Sequence, residues 1–116
     1  MKLNDFQLTE HFNLAEFQCP CCLTVKVSPQ LVLMLEAVRK RWGKPLIVNS
    51  GFRCEPHNKE VGGVKFSLHR QGRAADIRAA ASEQDSLSSI AAEAGFAKAI
   101  MYTERGFIHL ETGGNC

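Results

Sequence analysis

The stretch at 67–77, SLHRQGRAADI, decides how this chain is read. It places His69 seven residues before Asp76, with Gly72 between them. A straight strand would separate the two side chains by roughly 23 Å. A helix would set them about 10 Å apart along its axis. A bent segment brings both to one point, and Gly72 supplies the conformational freedom for the bend. Asp76 then projects inward from a strand of small residues. An unpaired carboxylate there is costly, whereas a paired or metal-bound one is not. The competing reading keeps Asp76 at the surface, paired with Arg73 or Arg78.

Working outward, 72–80 (GRAADIRAA) reads as a strand, with a helical alternative because alanine is abundant. Upstream, a helix is predicted over 28–42. Ser28 can cap it, Pro29 suits its first position, and Gly43 can end it in a left-handed conformation. Leu31, Met34, Leu35, Val38 and Trp42 recur at helical spacing and form its apolar face. PLIVNSGFR (45–53) reads as a buried strand. PHNKEVGG then reads as a short helical turn and a loop, with Gly62-Gly63 a turn rather than a phosphate cradle.

Downstream, SEQDSLSSIAAEAGF (82–96) reads as a second helix. Ser82 and Asp85 resemble a capping box, Leu87, Ile90, Ala91 and Ala94 face inward, and Gly95 ends it. KAIMYTE and GFIHLET form a hairpin turning near Arg105 and Gly106. Residues 1–27 form an N-terminal loop segment. Its Phe6, Leu8, Phe12, Leu14 and Phe17 are expected to pack on the core. The expected whole is a single α+β domain over 1–116, with a mostly antiparallel central sheet and two main helices.

The bulk numbers narrow the function. The 116 residues suit one core. A net charge of +2 with interspersed signs gives no basic stripe for nucleic acid. No apolar run approaches a membrane span. The polar start, MKLNDFQLTEHF, has no signal-peptide h-region, so synthesis in the cytoplasm is expected. No interface is evident, and a monomer is expected.

A third donor joins His69 and Asp76. His109 lies in GFIHLE, where strand alternation sets it on one face with Phe107 and Glu111, and Ile108 and Leu110 on the other. Two histidines and one carboxylate leave a tetrahedral zinc one open position, the arrangement of a catalytic site.

SLHRQGRAAD fits the pattern Ser-x-His-x-x-Gly-x-Ala-x-Asp at every fixed position. It resembles the zinc D-Ala-D-Ala carboxypeptidase family. That family also includes vancomycin-resistance dipeptidases, phage L-Ala-D-Glu endolysins and the hedgehog signalling fold. The resemblance extends upstream through VNSGFRCEPHNKEVGGVKFS and ends at GFIHLE, covering about 28–112. It implies that His69, Asp76 and His109 bind zinc and that Arg53 and Ser67 line the substrate site. A guanidinium can grip a peptide carboxylate in a bidentate fork; the alternative for Arg53 is a structural ion pair. Many relatives carry an acid three positions before the last histidine, where this chain has Gly106, or a histidine two positions before, where it has Phe107. The candidates for the general base are therefore Glu111 and Glu104. Glu111 matches an acidic position of the short bacterial and phage-type members, and it could instead orient a ligand. Glu104 would reach in from the turn.

Five cysteines cannot all enter disulfides with one another, and in a reducing compartment a cluster points to metal or free thiols. Cys19-x-x-Cys22 and Cys54-x-x-His57 together have the spacing of a second, structural zinc site. The rivals are a disulfide from Cys54 to Cys19, Cys21 or Cys22, and reduced thiols in a tight loop. Cys116 is expected to be free.

The resemblance implies a zinc metallopeptidase that cleaves peptidoglycan stem peptides in the cell wall or periplasm. The alternative is a non-catalytic, zinc-containing module that binds cell-wall peptide.

Overall fold

The computed structural model describes residues 4–54 and 68–112. Helix α1 spans Pro29–Trp42, and its ends follow the sequence signals. The Ser28 hydroxyl accepts from the Leu31 N–H, and Gly43 closes the helix at φ +73°. Leu31, Leu35 and Val38 are buried on the expected face, joined by Val32, with Met34 and Trp42 packed at its margin.

Helix α2 spans Ala81–Glu93. The Ser82–Asp85 capping box does not form. The helix begins a residue before Ser82, Ala80 takes the cap position, and no side chain bonds there. Gln84 ties down this region instead, donating to the carbonyls of Ala79 (3.0 Å) and Tyr102 (3.3 Å) from a fully buried position. Leu87 and Ala91 are buried, with Ile90 and Ala94 partly so.

The four strands are β1 (Val48–Ser50), β2 (Ala74–Arg78), β3 (Lys98–Tyr102) and β4 (Phe107–Glu111). All pairings are antiparallel, in the order β1-β2-β4-β3. The fold class is thus α+β, as expected. Segment 74–78 takes the strand reading, because both of its edges are paired. The strand expected over 45–53 is cut to Val48–Ser50. Its register shifts between Val48 and Ser50, and Gly51 then runs against the backbone of Phe17. A Cβ at 51 would lie 2.7 Å from the Phe17 Cα, and the Phe52 N–H bonds to the Phe17 carbonyl instead of a strand.

The β3–β4 hairpin turns through Thr103–Gly106, with Gly106 at φ +74°. The expected turn is therefore found, and the ring of Tyr102 stacks on Phe107 across its mouth at 4.6 Å.

One face of the sheet meets the helices. Ala75, Ile77, Ile108 and Leu110 lie there in the core. The N-terminal segment contributes Phe12 and Phe17, both buried, whereas Phe6 is 70% exposed and stays outside the core. That segment is pinned to α1 by buried Glu36, which accepts from the His11 backbone N–H (2.8 Å) and meets its Nδ1 (2.6 Å). Burial pushes the Glu36 carboxyl up, but the His11 hydrogen bond outweighs it and holds it at about 2. No helix among the described residues is long and apolar enough to cross a membrane.

Candidate metal centre

The other face of β2 and β4 carries the chemistry. Antiparallel register sets Asp76 directly opposite His109, so the two side chains leave the sheet on one face as a cross-strand pair. The same alternation puts Glu111 beside His109 on that face. His69 arrives from a 3₁₀ turn, Leu68–Gln71, that precedes β2. The bend between them is Gly72, at φ +71°. A Cβ there would lie 2.7 Å from the carbonyl carbon of Lys26 and 2.9 Å from the Val27 Cα, so both the dihedral and the packing require glycine.

The three residues converge. His109 Nδ1 lies 2.8 Å from Asp76 Oδ1, and His69 Nε2 lies 3.3 Å from both His109 Nδ1 and Asp76 Oδ1. One donor atom from each lies within 4.8 Å of the others. The remaining ring nitrogens are also engaged. His69 Nδ1 is 2.8 Å from the Gly51 carbonyl, which can only accept, so Nδ1 carries the proton and Nε2 turns its lone pair to the cluster. His109 lies between two carboxylates, with Nε2 at 2.9 Å from Glu111 Oε1 and Nδ1 facing Asp76, so Glu111 anchors a proton on Nε2 while Nδ1 is the nitrogen turned to the cluster. These outer contacts are the kind that orient metal-bound imidazoles.

Electrostatics agree with the geometry. Burial pushes the Asp76 carboxyl up, but its contacts with the His109 and His69 rings outweigh it and hold it well below the usual carboxylate range. Burial pushes His109 down, yet its bonds to Asp76 and Glu111 raise it above its ordinary value. The ring therefore sits where positive charge is favoured. Two imidazoles with their outer nitrogens bonded and an ionised carboxylate form a donor set that fits zinc, which would displace the inner proton of His109 on binding.

Arg53 follows β1 and borders this cluster. Its guanidinium meets Asp76 Oδ2 at 3.2 Å and its Nε donates to Ser50 Oγ at 3.1 Å. It thus forms the ion pair given above as its alternative role, while lying beside the metal donors. Ser67 lies outside the described residues. Glu104 is exposed on the hairpin turn and is not among the residues whose donor atoms cluster with His69, Asp76 and His109. Glu111 does join it, but from the far side of the His109 ring. The expected acid three positions before His109 is excluded by backbone form as well as by sequence. Gly106 closes the turn in the left-handed region, where a glutamate would be strained.

Sequence reasoning missed the Gly51 carbonyl, because a backbone acceptor leaves no residue-type signal. It also left Cys21 out of the zinc set, naming it only as a possible disulfide partner of Cys54. Cys19, Cys22 and Cys54 come together as their spacing suggested, and Cys21 joins them. His57, the fourth ligand expected from spacing, lies outside the described residues. All four clustered cysteines are free thiols, so none of the disulfides considered is present among them. Burial pushes the Cys19 thiol up, but N–H donors of Cys54 and Cys21 outweigh it and hold it at about 6. Cys21 is pushed up, chiefly by its bond to Cys54.

An α+β fold that gathers two imidazoles and a carboxylate beside an antiparallel sheet defines the class: a scaffold with a donor set for a divalent metal. The model of the peptidase M15 family matches residues 10–111, and the chain belongs to that family. A 63-residue segment, 53% of the chain, is 41% identical to the zinc D-Ala-D-Ala carboxypeptidase of Streptomyces albus G. The match covers 25% of that relative, so the chain spans about a quarter of its length.

Proposed function

We propose that the chain is a zinc-dependent peptidase that cleaves peptidoglycan stem peptides, as a D-Ala-D-Ala carboxypeptidase or a related endopeptidase. One observation carries the reading: His69, Asp76 and His109 converge, with the outer nitrogen of each imidazole already bonded. Zinc bound there would polarise the scissile carbonyl and lower the pKa of water to roughly 7. The chain's own residues do the rest. Glu111 keeps the proton on His109 Nε2, and the Gly51 carbonyl keeps the one on His69 Nδ1. Arg53 offers a cation beside the cluster for the substrate's terminal carboxylate, with Ser67 as a further lining residue by the motif match. The relative's printed name supports D-Ala-D-Ala peptides as the substrate class, and with such a substrate the proposed site of action is the cell wall or periplasm.

The test is release of D-Ala, or of cleaved stem peptides, from purified peptidoglycan by the zinc-loaded protein. No product under conditions where an active relative works sinks the reading.

A second reading, a zinc-containing module that binds cell-wall peptide without cutting it, is favoured by the placement of the acids. Glu111 lies across the imidazole from the metal donors, and Glu104 lies out on the turn. Among the described residues neither stands where a general base takes a proton from water at the metal. The variants Glu111→Gln and Glu104→Gln separate the readings. Peptide binding without turnover, unchanged in both, supports the module; hydrolysis abolished by either one supports the enzyme, and names its base where zinc stays fully bound.

A further inference from the structure

A second cluster stands apart from the histidines. Cys19, Cys21 and Cys22 lie on the turn after the first 3₁₀ segment, Leu14–Phe17, and Cys54 follows Arg53. Cys21 Sγ is 3.0 Å from Cys54 Sγ and 3.4 Å from Cys19 Sγ, and Cys19 Sγ is 3.5 Å from Cys54 Sγ. All four sulfurs lie within 4.8 Å of one another. Thiols are weak hydrogen-bonding groups, so their mutual attraction does not gather four of them. A tetrahedral zinc with Zn–S bonds of ~2.3 Å sets its sulfurs roughly 3.8 Å apart, close to the spacing seen here.

Backbone bonds fix the turn that carries three of these sulfurs. The turn presenting them is closed by Leu23 at φ +62°, with the Leu23 N–H on the Cys19 carbonyl and the Cys19 N–H on the Thr24 carbonyl, both at 2.8 Å. A leucine in the left-handed region is strained and persists only where its surroundings enforce it.

We propose that Cys19, Cys21, Cys22 and Cys54 form an all-thiolate zinc site that joins the N-terminal turn to the chain beside Arg53. It is a structural site, closed by four protein ligands, and it takes Cys21 as the fourth donor in place of the His57 suggested by spacing. Zinc displaces whatever protons the four sulfurs still carry, so loading releases protons and changes no oxidation state. The metal would hold Cys54 in place, and with it the entry of Arg53 toward Asp76.

The test uses the full chain with His69→Ala, His109→Ala and Cys116→Ser, so that the histidine centre and the fifth thiol cannot contribute. The expected result is one zinc per chain by elemental analysis, with all four thiols protected from alkylation until a chelator is added. Cobalt in place of zinc should give a near-ultraviolet thiolate charge-transfer band. Serine at any one of the four positions should lower that band and weaken zinc in chelator competition by at least about a hundredfold. Affinity unchanged in any one of the four variants overturns the four-sulfur assignment. A metal-free protein that carries a Cys21–Cys54 disulfide, or whose four thiols alkylate at once, overturns the site altogether. None of these outcomes depends on peptidase activity.

Discussion

His69, Asp76 and His109 stand around a ladder, whereas the four cysteines stand on a turn. Asp76 and His109 are neighbours because β2 and β4 pair in register, and a one-residue slip would send both to the opposite face. Their positions follow from burying Ile77, Ile108 and Leu110 on the other side of the sheet, with no metal required. The cysteines have no such ladder. Cys21 and Cys22 are exposed, and they are held by a handful of hydrogen bonds around one strained leucine. The sheet therefore pre-organises its donors, while the turn relies on its ligand to finish the geometry. One site should bind metal into a formed cradle; the other should couple binding to order.

The largest effect expected is at the ladder. Asp76→Ala should reduce zinc at the histidine centre and peptide hydrolysis to background, while zinc at the thiols stays, as read by elemental analysis beside the cleavage assay. Loss of both metals together would break the contrast. Next is the bend. Gly72→Ala forces a Cβ into the Lys26–Val27 backbone at positive φ, and should cost about 3 kcal/mol in urea unfolding. A near-neutral result would mean that the approach of Lys26 is not tight.

A smaller effect falls on the outer contacts. Glu111→Gln keeps an acceptor for His109 Nε2 but removes the charge, and should weaken zinc at the histidine centre about tenfold in chelator competition. The thiol site should not respond. The smallest effect is in acid. The Glu36 carboxyl is held at about 2, below the ordinary 4.5, so its stabilising contribution is full above pH 5 and fades as pH falls toward 2. The unfolding midpoint of Glu36→Gln should change less over that window than that of the parent chain. Because His11 and Glu36 pin the N-terminal segment, acid should loosen the cysteine turn before the sheet. Equal slopes for the two proteins would remove Glu36 as the cause.

Much of the sheet-borne site was legible in the sequence, and the reason is periodicity. Alternation in GFIHLE put His109 and Glu111 on one face, and Gly72 announced the bend that joins His69 to Asp76. Caps with chemical signatures, Ser28 and Gly43, marked α1 correctly. What stayed hidden depends on contacts distant in sequence. Ser82 looked like a cap because its spacing to Asp85 fits, yet α2 starts earlier, where Ala80 follows the paired strand. The 45–53 strand looked longer because its residues favour extension, but Phe17 competes for the backbone at 51 and 52. Cys21 was passed over as a ligand because adjacent cysteines have no familiar ligand spacing, and only the fold shows that Cys54 reaches all three. Arg53 read as a substrate grip, and its reach to Asp76 needed the β1–β2 pairing to be seen.

The Gly51 carbonyl has a consequence for mutational scanning. Position 51 rejects side chains because Phe17 is pressed against it, so a scan would score it as a packing residue and stop there. Yet the same residue decides which nitrogen of His69 carries hydrogen, and it does so with an atom that no substitution removes. Replacing the peptide bond after Gly51 by an ester would weaken that acceptor without adding bulk, and would also remove the Phe52 N–H that bonds to the Phe17 carbonyl. In this fold, part of the imidazole's chemistry is written in the main chain, where variation among side chains cannot reach it.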